Sequence, residues 1–371
     1  MRPSAGAITD SERSRLLHGV SLESPAARTN VRLRRRVKNA AASLLCRTGG
    51  ARLLGALAGS RCWPLVLGYH RVVENFASST HISMPQMLVS LRMLEAHLDR
   101  IGRRYRFVSL DDLYTHLASG EPFDKPVAVV SFDDGYADVY ENAFPLLTRK
   151  GIPAVVFLVT DLVGTSRLQV YDKLYLLLAR ARDLTDDPFT AMRAFLTALP
   201  QSELAPIIAA LEARVRLEEA ELEPLRPVTW DQVSTMHRAG VAIGSHTKRH
   251  VLLTSETPDV VTDEVVGSRR HLELRLGAPI HYFAYPDGQF DSTAVGAVAA
   301  AGYRLALTTC RHRDPRYPLL TVPRRLLWEH SSVDAALRFS PAILDCYVQG
   351  LFDTVRRCGL DHSRSLAPST T

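Results

Sequence analysis

Short runs of apolar, largely β-branched residues recur along this chain, and three of them end in side chains that ionise or bind metals. Val127-Ala128-Val129-Val130 runs into Ser131-Phe132-Asp133-Asp134-Gly135, Val241-Ala242-Ile243-Gly244 into Ser245-His246-Thr247-Lys248-Arg249-His250, and Leu65-Val66-Leu67-Gly68-Tyr69 into His70. In α/β barrels the strand ends carry the chemistry. One Asp and two His four residues apart offer oxygen and nitrogen ligands, and leave positions on a metal open for water and substrate. The second carboxylate then has a use, accepting a proton from the attacking water. Residue types alone leave open which of Asp133 and Asp134 binds the metal. Each element by itself has an ordinary reading: Asp-Asp-Gly as a turn, His-x-x-x-His as a helix face, His70 as a core histidine. Their coincidence at three strand ends is what favours a site.

With 371 residues, 46% apolar and 23% charged, the chain suffices for one barrel of ~250 residues plus extensions. Cys46, Cys62, Cys310, Cys346 and Cys358 form no C-x-x-C pair, which argues against a zinc ribbon or a disulfide framework and for a reducing compartment. The net charge of +6 gathers at Arg32, Arg34, Arg35, Arg36 and Lys38. That segment reads either as a surface helix for anionic lipid or an acidic partner, or as a solvated basic arm. With the charge excess confined to the arm and no aromatics interleaved among basic residues, nucleic acid is not expected as a partner. No stretch reaches the ~20 uninterrupted apolar residues of a membrane span. Asp10, Glu12 and Arg13 stand where the apolar core of a secretory signal would begin. The expected location is therefore the cytoplasm, with the arm able to make peripheral contact with the inner face of the membrane.

The pattern along the chain is strand, helix, strand. Strands are expected at 65–70, 106–110, 127–132, 154–160, 241–245, 281–285, 303–309 and 319–322, and helices at 85–101 and, behind a Ser109 cap, 111–118. Such alternation implies an α/β fold with a parallel sheet closed, or nearly closed, into a barrel. The rhythm fails at about 166–226, where 174–181, 189–199 and 205–217 read as amphipathic helices. This insertion leaves from a strand end and either roofs the substrate groove or buttresses the outer ring. The resulting division is a basic extension over 1–60, a barrel over 61–345 and a C-terminal tail over 346–371.

Ser131-Phe132-Asp133-Asp134-Gly135 and His246-Thr247-Lys248-Arg249-His250 resemble the first two motifs of the NodB-type polysaccharide deacetylases, the family 4 carbohydrate esterases. Phe283-Ala284-Tyr285-Pro286-Asp287-Gly288 resembles the third motif as it occurs in the poly-N-acetylglucosamine deacetylases, and Leu67-Gly68-Tyr69-His70-Arg71-Val72 their opening strand. The likeness spans roughly residues 65 to 326 outside the insertion. It implies a distorted (β/α)7-8 barrel, a divalent metal, zinc first among candidates, and hydrolysis of N-acetyl groups on an amino-sugar polysaccharide, oligosaccharide or lipid-linked precursor. Carried over, Asp134, His246 and His250 hold the metal, Asp133 is the general base and His70 the general acid, a role suited to a histidine near neutral pKa. Ala284 stands where an arginine commonly orients the catalytic Asp, so Arg324 is the expected replacement and Arg325 the alternative. Tyr285, Pro286 and Asp287 are expected to support these groups or to meet substrate, Asp287 by binding a hydroxyl or amine or by capping a loop. His330 stands near the place of a fifth motif. The competing readings are a hydrolase of a non-sugar amide on the same fold, and an inactive carbohydrate-binding module, which the intact Asp133, Asp134, His246 and His250 argue against.

Overall fold

The computed structural model describes residues 64–121 and 123–352, together with 37, 40–45, 48 and 362. The basic residues Arg32, Arg34, Arg35, Arg36 and Lys38, the segment read for a secretory signal, Cys46, Cys62, Cys358 and most of the expected tail lie outside the described residues. The strands are β1 (Leu65–Tyr69), β2 (Arg71–Val73), β3 (Leu88–Ser90), β4 (Arg106–Phe107), β5 (Val127–Phe132), β6 (Ala154–Leu158), β7 (Ala242–Ser245), β8 (Tyr282–Ala284), β9 (Leu305–Thr308), β10 (Val322–Pro323) and β11 (Arg325–Leu326). The main sheet runs β10-β9-β8-β7-β6-β5-β1-β11, every pairing parallel. The strands β10 and β11 are consecutive pieces of one stretch separated by Arg324; the first pairs with β9 and the second with β1. That stretch joins the two edges of the sheet and closes a distorted parallel barrel.

Strands buried on both faces need near-continuous apolar sequence, which is what Val127–Phe132 and Ala154–Leu158 provide. Their alternation still sorts the two faces. Val66, Val127, Val129, Val155, Phe157, Tyr282, Ala284, Leu305, Leu307 and Val322 pack together as the barrel interior. Leu65, Leu67, Tyr69, Ala128, Val130, Phe132, Val156, Phe283 and Tyr285 belong to the layer beneath the surrounding helices. The helix α1 (Leu91–Gly102) contributes Leu94 and Leu98 to that layer, capped by Ser90, whose hydroxyl accepts from Met93 N–H at 3.2 Å. The expected cap of α2 (Leu110–Ser119) forms as a capping box between Ser109 and Asp112.

The structure corrects several expected elements. Residues 85–101 are not one helix: a short turn over Pro85–Met87 and strand β3 precede α1, and β3 pairs with β2 in a separate two-stranded sheet. Pro85 starts the turn, and the Ser90 cap sets where the helix begins. The strand expected at 106–110 keeps only Arg106–Phe107 and lies beside β5, off the barrel path. The last strand extends past 322 to Leu326.

Between β6 and β7 stand α3 (Val170–Arg180), α4 (Pro188–Ala198) and α5 (Gln201–Glu212), packed around Leu174, Leu177, Leu178, Met192 and Leu211. Met84 and Tyr136 of the barrel side belong to the same cluster. Residues 226–228 return along the turn after β5, with Ala137 N–H donating to Arg226 O at 3.0 Å and Val228 N–H to Gly135 O at 2.8 Å. No helix among the described residues is long and apolar enough to cross a membrane.

Gly244 marks the tightest point of the barrel interior, where an added Cβ would stand 2.5 Å from the Phe157 ring and 3.1 Å from Tyr282 O. We expect Gly244→Ala to destabilise by roughly 1–3 kcal/mol through overpacking. Thermal melting checks this; an unchanged Tm would mean that Phe157 yields freely.

Candidate active site

Strand parity brings the site together. On β1 the interior positions are Val66 and Gly68, and the next is His70; on β5 they are Val127, Val129 and Ser131, and the next is Asp133; on β7, Gly244 faces Phe157 and is followed by His246. Three candidate groups thus reach the same rim as the last interior positions of three strands. Asp134 has the opposite parity and joins them because it adopts φ 71°. His250 arrives through a loop, not a helical turn. Thr247 and His250 both have positive φ, His250 N–H donates to Thr247 Oγ1 at 3.0 Å, and Glu264 accepts from the N–H groups of Lys248 and Arg249 at 2.8 and 3.0 Å.

Asp134 Oδ1 lies 3.5 Å from His246 Nε2 and 3.3 Å from His250 Nε2. Ligand atoms of the three residues all lie within 4.8 Å of one another. His246 Nδ1 is 2.7 Å from Ala284 O, which assigns the proton to Nδ1 and turns the Nε2 lone pair toward Asp134. Both Asp134 oxygens are buried without a hydrogen bond; the Tyr171 hydroxyl is near enough to favour the charged form but bonds to Tyr136 at 2.6 Å. Burial, with the neighbouring Asp133 charge, pushes the Asp134 pKa well above the usual carboxylate range. Burial likewise lowers His246 and His250, so both imidazoles are neutral. A buried carboxylate lacking a counter-charge, faced by two neutral imidazole nitrogens, fits a divalent cation.

Asp133 is in the opposite condition. Burial pushes its pKa up, but Arg324, with His246 and His70, outweighs that and holds it at about 2. Arg324 Nη1 donates to Oδ1 at 2.7 Å and Nη2 to Oδ2, a two-pronged pair with both side chains buried. Of the two arginines expected here, Arg324 reaches Asp133, and Arg325 shares the outward parity of its register partner Leu67. His70 Nε2 is 3.9 Å from Asp133 Oδ2. Burial lowers the His70 pKa to about 4 against the pull of Asp133, which corrects the near-neutral value expected from its residue type.

The third-motif residues divide. Asp287, at φ 55°, lines the cavity over the site and accepts from Arg193 at 2.5 Å. Pro286 is buried at the start of its turn, and Tyr285 is fully buried, donating to Leu320 O at 3.0 Å and packing on Phe283 and Phe290. His330 packs on Phe76, while its neighbour Trp328 lines the cavity. The sequence leaves open whether the insertion roofs the groove, and it does not single out Gln169 or Tyr171. Gln169 donates to Asp134 O at 3.3 Å, and the Tyr171 ring lies 5.0 Å from that of His250. The only signal was that the helices leave from a strand end.

Replacing Arg324 by Met strands a buried carboxylate. We expect a loss of about 3–5 kcal/mol, as for a broken buried pair, and a raised Asp133 pKa. Since the folded-state value is depressed, the wild-type pair contributes stability above an unfolded pKa of about 3.9 and loses it as pH falls toward about 2. Denaturant melts from pH 7 to 2 check this, and Arg324→Met/Asp133→Asn should regain stability; no regain would place the cost in barrel closure.

The sequence profile of the family described as Polysaccharide deacetylase matches residues 120–306. The YxkH protein of Bacillus subtilis is 19% identical over 245 residues, covering 66% of this chain and 63% of that one. The poly-β-1,6-N-acetyl-D-glucosamine N-deacetylase of Staphylococcus aureus is 30% identical over 122 residues, 29% of this chain and 40% of its own length. The chain thus spans less than two thirds of these curated relatives. Among solved structures, the Streptococcus pyogenes deacetylase PplD in complex with acetate has TM-score 0.52 at 20% identity, with 77% of this chain and 97% of that one covered. IcaB from Ammonifex degensii has TM-score 0.51 at 20% identity, covering 77% and 96%. These two likenesses establish the barrel type, and the profile match over half the chain establishes membership: this chain belongs to the polysaccharide deacetylase family.

Proposed function

We propose that this protein hydrolyses N-acetyl groups of an amino-sugar glycan, with a divalent cation, zinc first among candidates, held by Asp134, His246 and His250. The observation that carries the reading is the buried Asp134 carboxylate, without a counter-charge and 3.3–3.5 Å from two imidazole nitrogens, next to a second carboxylate kept ionised by Arg324. The staphylococcal relative, whose name records N-deacetylation of poly-β-1,6-N-acetyl-D-glucosamine, supports the choice of substrate class. A cation there supplies Lewis acidity, polarising the acetyl carbonyl and acidifying the attacking water. Asp133 accepts the water proton on its carboxylate while Arg324 keeps that carboxylate aimed. The water oxygen bonds to the acetyl carbon, the carbon–nitrogen bond breaks, acetate leaves, and the nitrogen departs as an amine protonated from His70 Nε2. His70 is neutral at rest, so the proton it gives to the departing nitrogen is the one Asp133 has taken from the water, passed across the 3.9 Å between Asp133 Oδ2 and His70 Nε2.

Acetate release from N-acetylated oligosaccharides, with and without chelator, tests the reaction; release insensitive to chelator and to Asp133 would overturn it. Asp134→Ala, His246→Ala and His250→Ala should each lose metal and activity together, since neighbouring groups cannot replace a ligand. Metal analysis decides, and a variant with full occupancy leaves the ligand set.

Asp133→Asn should keep the metal while kcat falls on the order of 10²–10⁴. Near wild-type turnover would remove Asp133 from the mechanism. His70→Ala should also keep the metal, and should slow amides of poor leaving amines more than those of good ones. Equal loss on both would place the acid elsewhere.

A further inference from the structure

The insertion is fastened over the rim at two points. At one, Arg193 of α4 pairs with Asp287 after β8. At the other, Gln201 at the start of α5 donates its N–H to Glu256 at 2.7 Å and its Nε2 to Arg249 O at 3.1 Å, both beyond β7. Beneath lies a cavity of about 280 Å³ that includes His70, Asp133, Asp134, His246 and His250. A roof so placed is the first of the two roles read for the insertion, and it covers the site rather than leaving an open trough.

The underside of that roof is largely apolar, with Arg193, Thr197 and Gln201 as its polar members. Phe189, Met192 and Leu196 lie on α4 at the i, i+3, i+7 spacing of one helix face and all line the cavity. Leu199 and Leu204 extend the same wall, and Trp328 stands in the lining as well. Phe189 both lines the cavity and is exposed to solvent, and Leu184 in the preceding turn is exposed too. The apolar wall therefore runs from the catalytic groups out to the surface. Sugar rings with their hydroxyl groups would leave much of such a wall unmatched, whereas a hydrocarbon would cover it.

We infer that the substrate is amphipathic, an N-acetylated amino sugar carrying a hydrocarbon chain, and that the chain runs under the insertion from the catalytic groups past Leu196 to the mouth at Phe189. The inference rests on the deacetylation proposed above. Because that reaction releases acetate, the chain belongs to the glycan side, as in a lipid-linked sugar, and not to the acyl group. The open mouth suits a chain longer than the cavity.

The test compares kcat/KM for methyl and octyl glycosides of N-acetylglucosamine, for tri-N-acetylchitotriose and for N-octanoylglucosamine, in the wild type and in Phe189→Ser and Leu196→Asp. The octyl glycoside should exceed the methyl glycoside by at least tenfold, since each methylene buried is worth roughly fourfold. Both variants should collapse that ratio toward one. Equal rates for methyl and octyl glycosides, or preference for chitotriose, would overturn the inference while leaving deacetylation standing. Preference for N-octanoylglucosamine would put the chain on the acyl side and overturn the assignment as made. If no amide is cleaved by the metal-loaded protein, deacetylation fails instead. Calorimetry on Asp133→Asn then decides the chain alone: octyl binding tighter than methyl supports it, and equal binding overturns it.

Discussion

The pairing of Arg324 with Asp133 joins the closure of the barrel to the chemistry of its rim. Arg324 sits at the break between two short strands, one paired with β9 and the other with β1, so its position exists only when both edges of the sheet are in register. Its side chain then passes Gly68, where an added Cβ would come within 3.4 Å of Arg324 Cδ, and reaches Asp133 over the Phe157 ring. A guanidinium so buried is tolerable only with its partner in place. The same contact reverses the effect of burial on Asp133. Its neighbour Asp134, equally buried and without such a partner, is pushed the other way. Two adjacent carboxylates pushed apart in pKa by their surroundings are suited to two different tasks.

The barrel was legible because parallel strands buried on both faces must be apolar throughout, and runs such as Val127-Ala128-Val129-Val130 have few other uses. Much of the site was legible for a related reason. Counting by twos from Val129 and Val66 puts Asp133 and His70 on the interior face, and the same count puts Tyr285 with Phe283 on the outer face, where the structure has it. Strand parity alone therefore separates Tyr285 from the cavity. Parity fails for Asp134 and His250, whose positive φ cannot be read from residue type, since neither is glycine.

What the sequence did not disclose depends on contacts between distant segments. Arg193 and Asp287 are 94 residues apart, and α4 carries nothing to distinguish Arg193 from its neighbouring surface groups. Amphipathic spacing identified the insertion helices, but the face bearing Phe189, Met192 and Leu196 reads equally well as one packed on the barrel wall. Only the fastenings at Asp287 and Glu256 orient it toward the site. The same limit explains the merged helix at 85–101: strand β3 is held by β2, a partner invisible to local periodicity.

Backbone strain links the insertion to the site more closely than a covering role requires. Among the described residues, Asp134, Thr247, His250, Asp287 and Leu337 are the non-glycine residues with positive φ, and four of these surround the cavity or its ligand loop. Such conformations cost of order 1–3 kcal/mol each and persist where neighbours over-determine them. The restraints are identifiable. Thr247 N–H donates to Ser245 Oγ at 3.2 Å and His250 N–H to Thr247 Oγ1 at 3.0 Å, both local to the loop. Asp134 is held at its carbonyl by Gln169 and Asp287 at its carboxylate by Arg193, both from the segment after β6. The segment that walls the cavity thus also holds two of the strained turns that place the chemistry, and an insertion removed from this barrel would take part of the site's geometry with it.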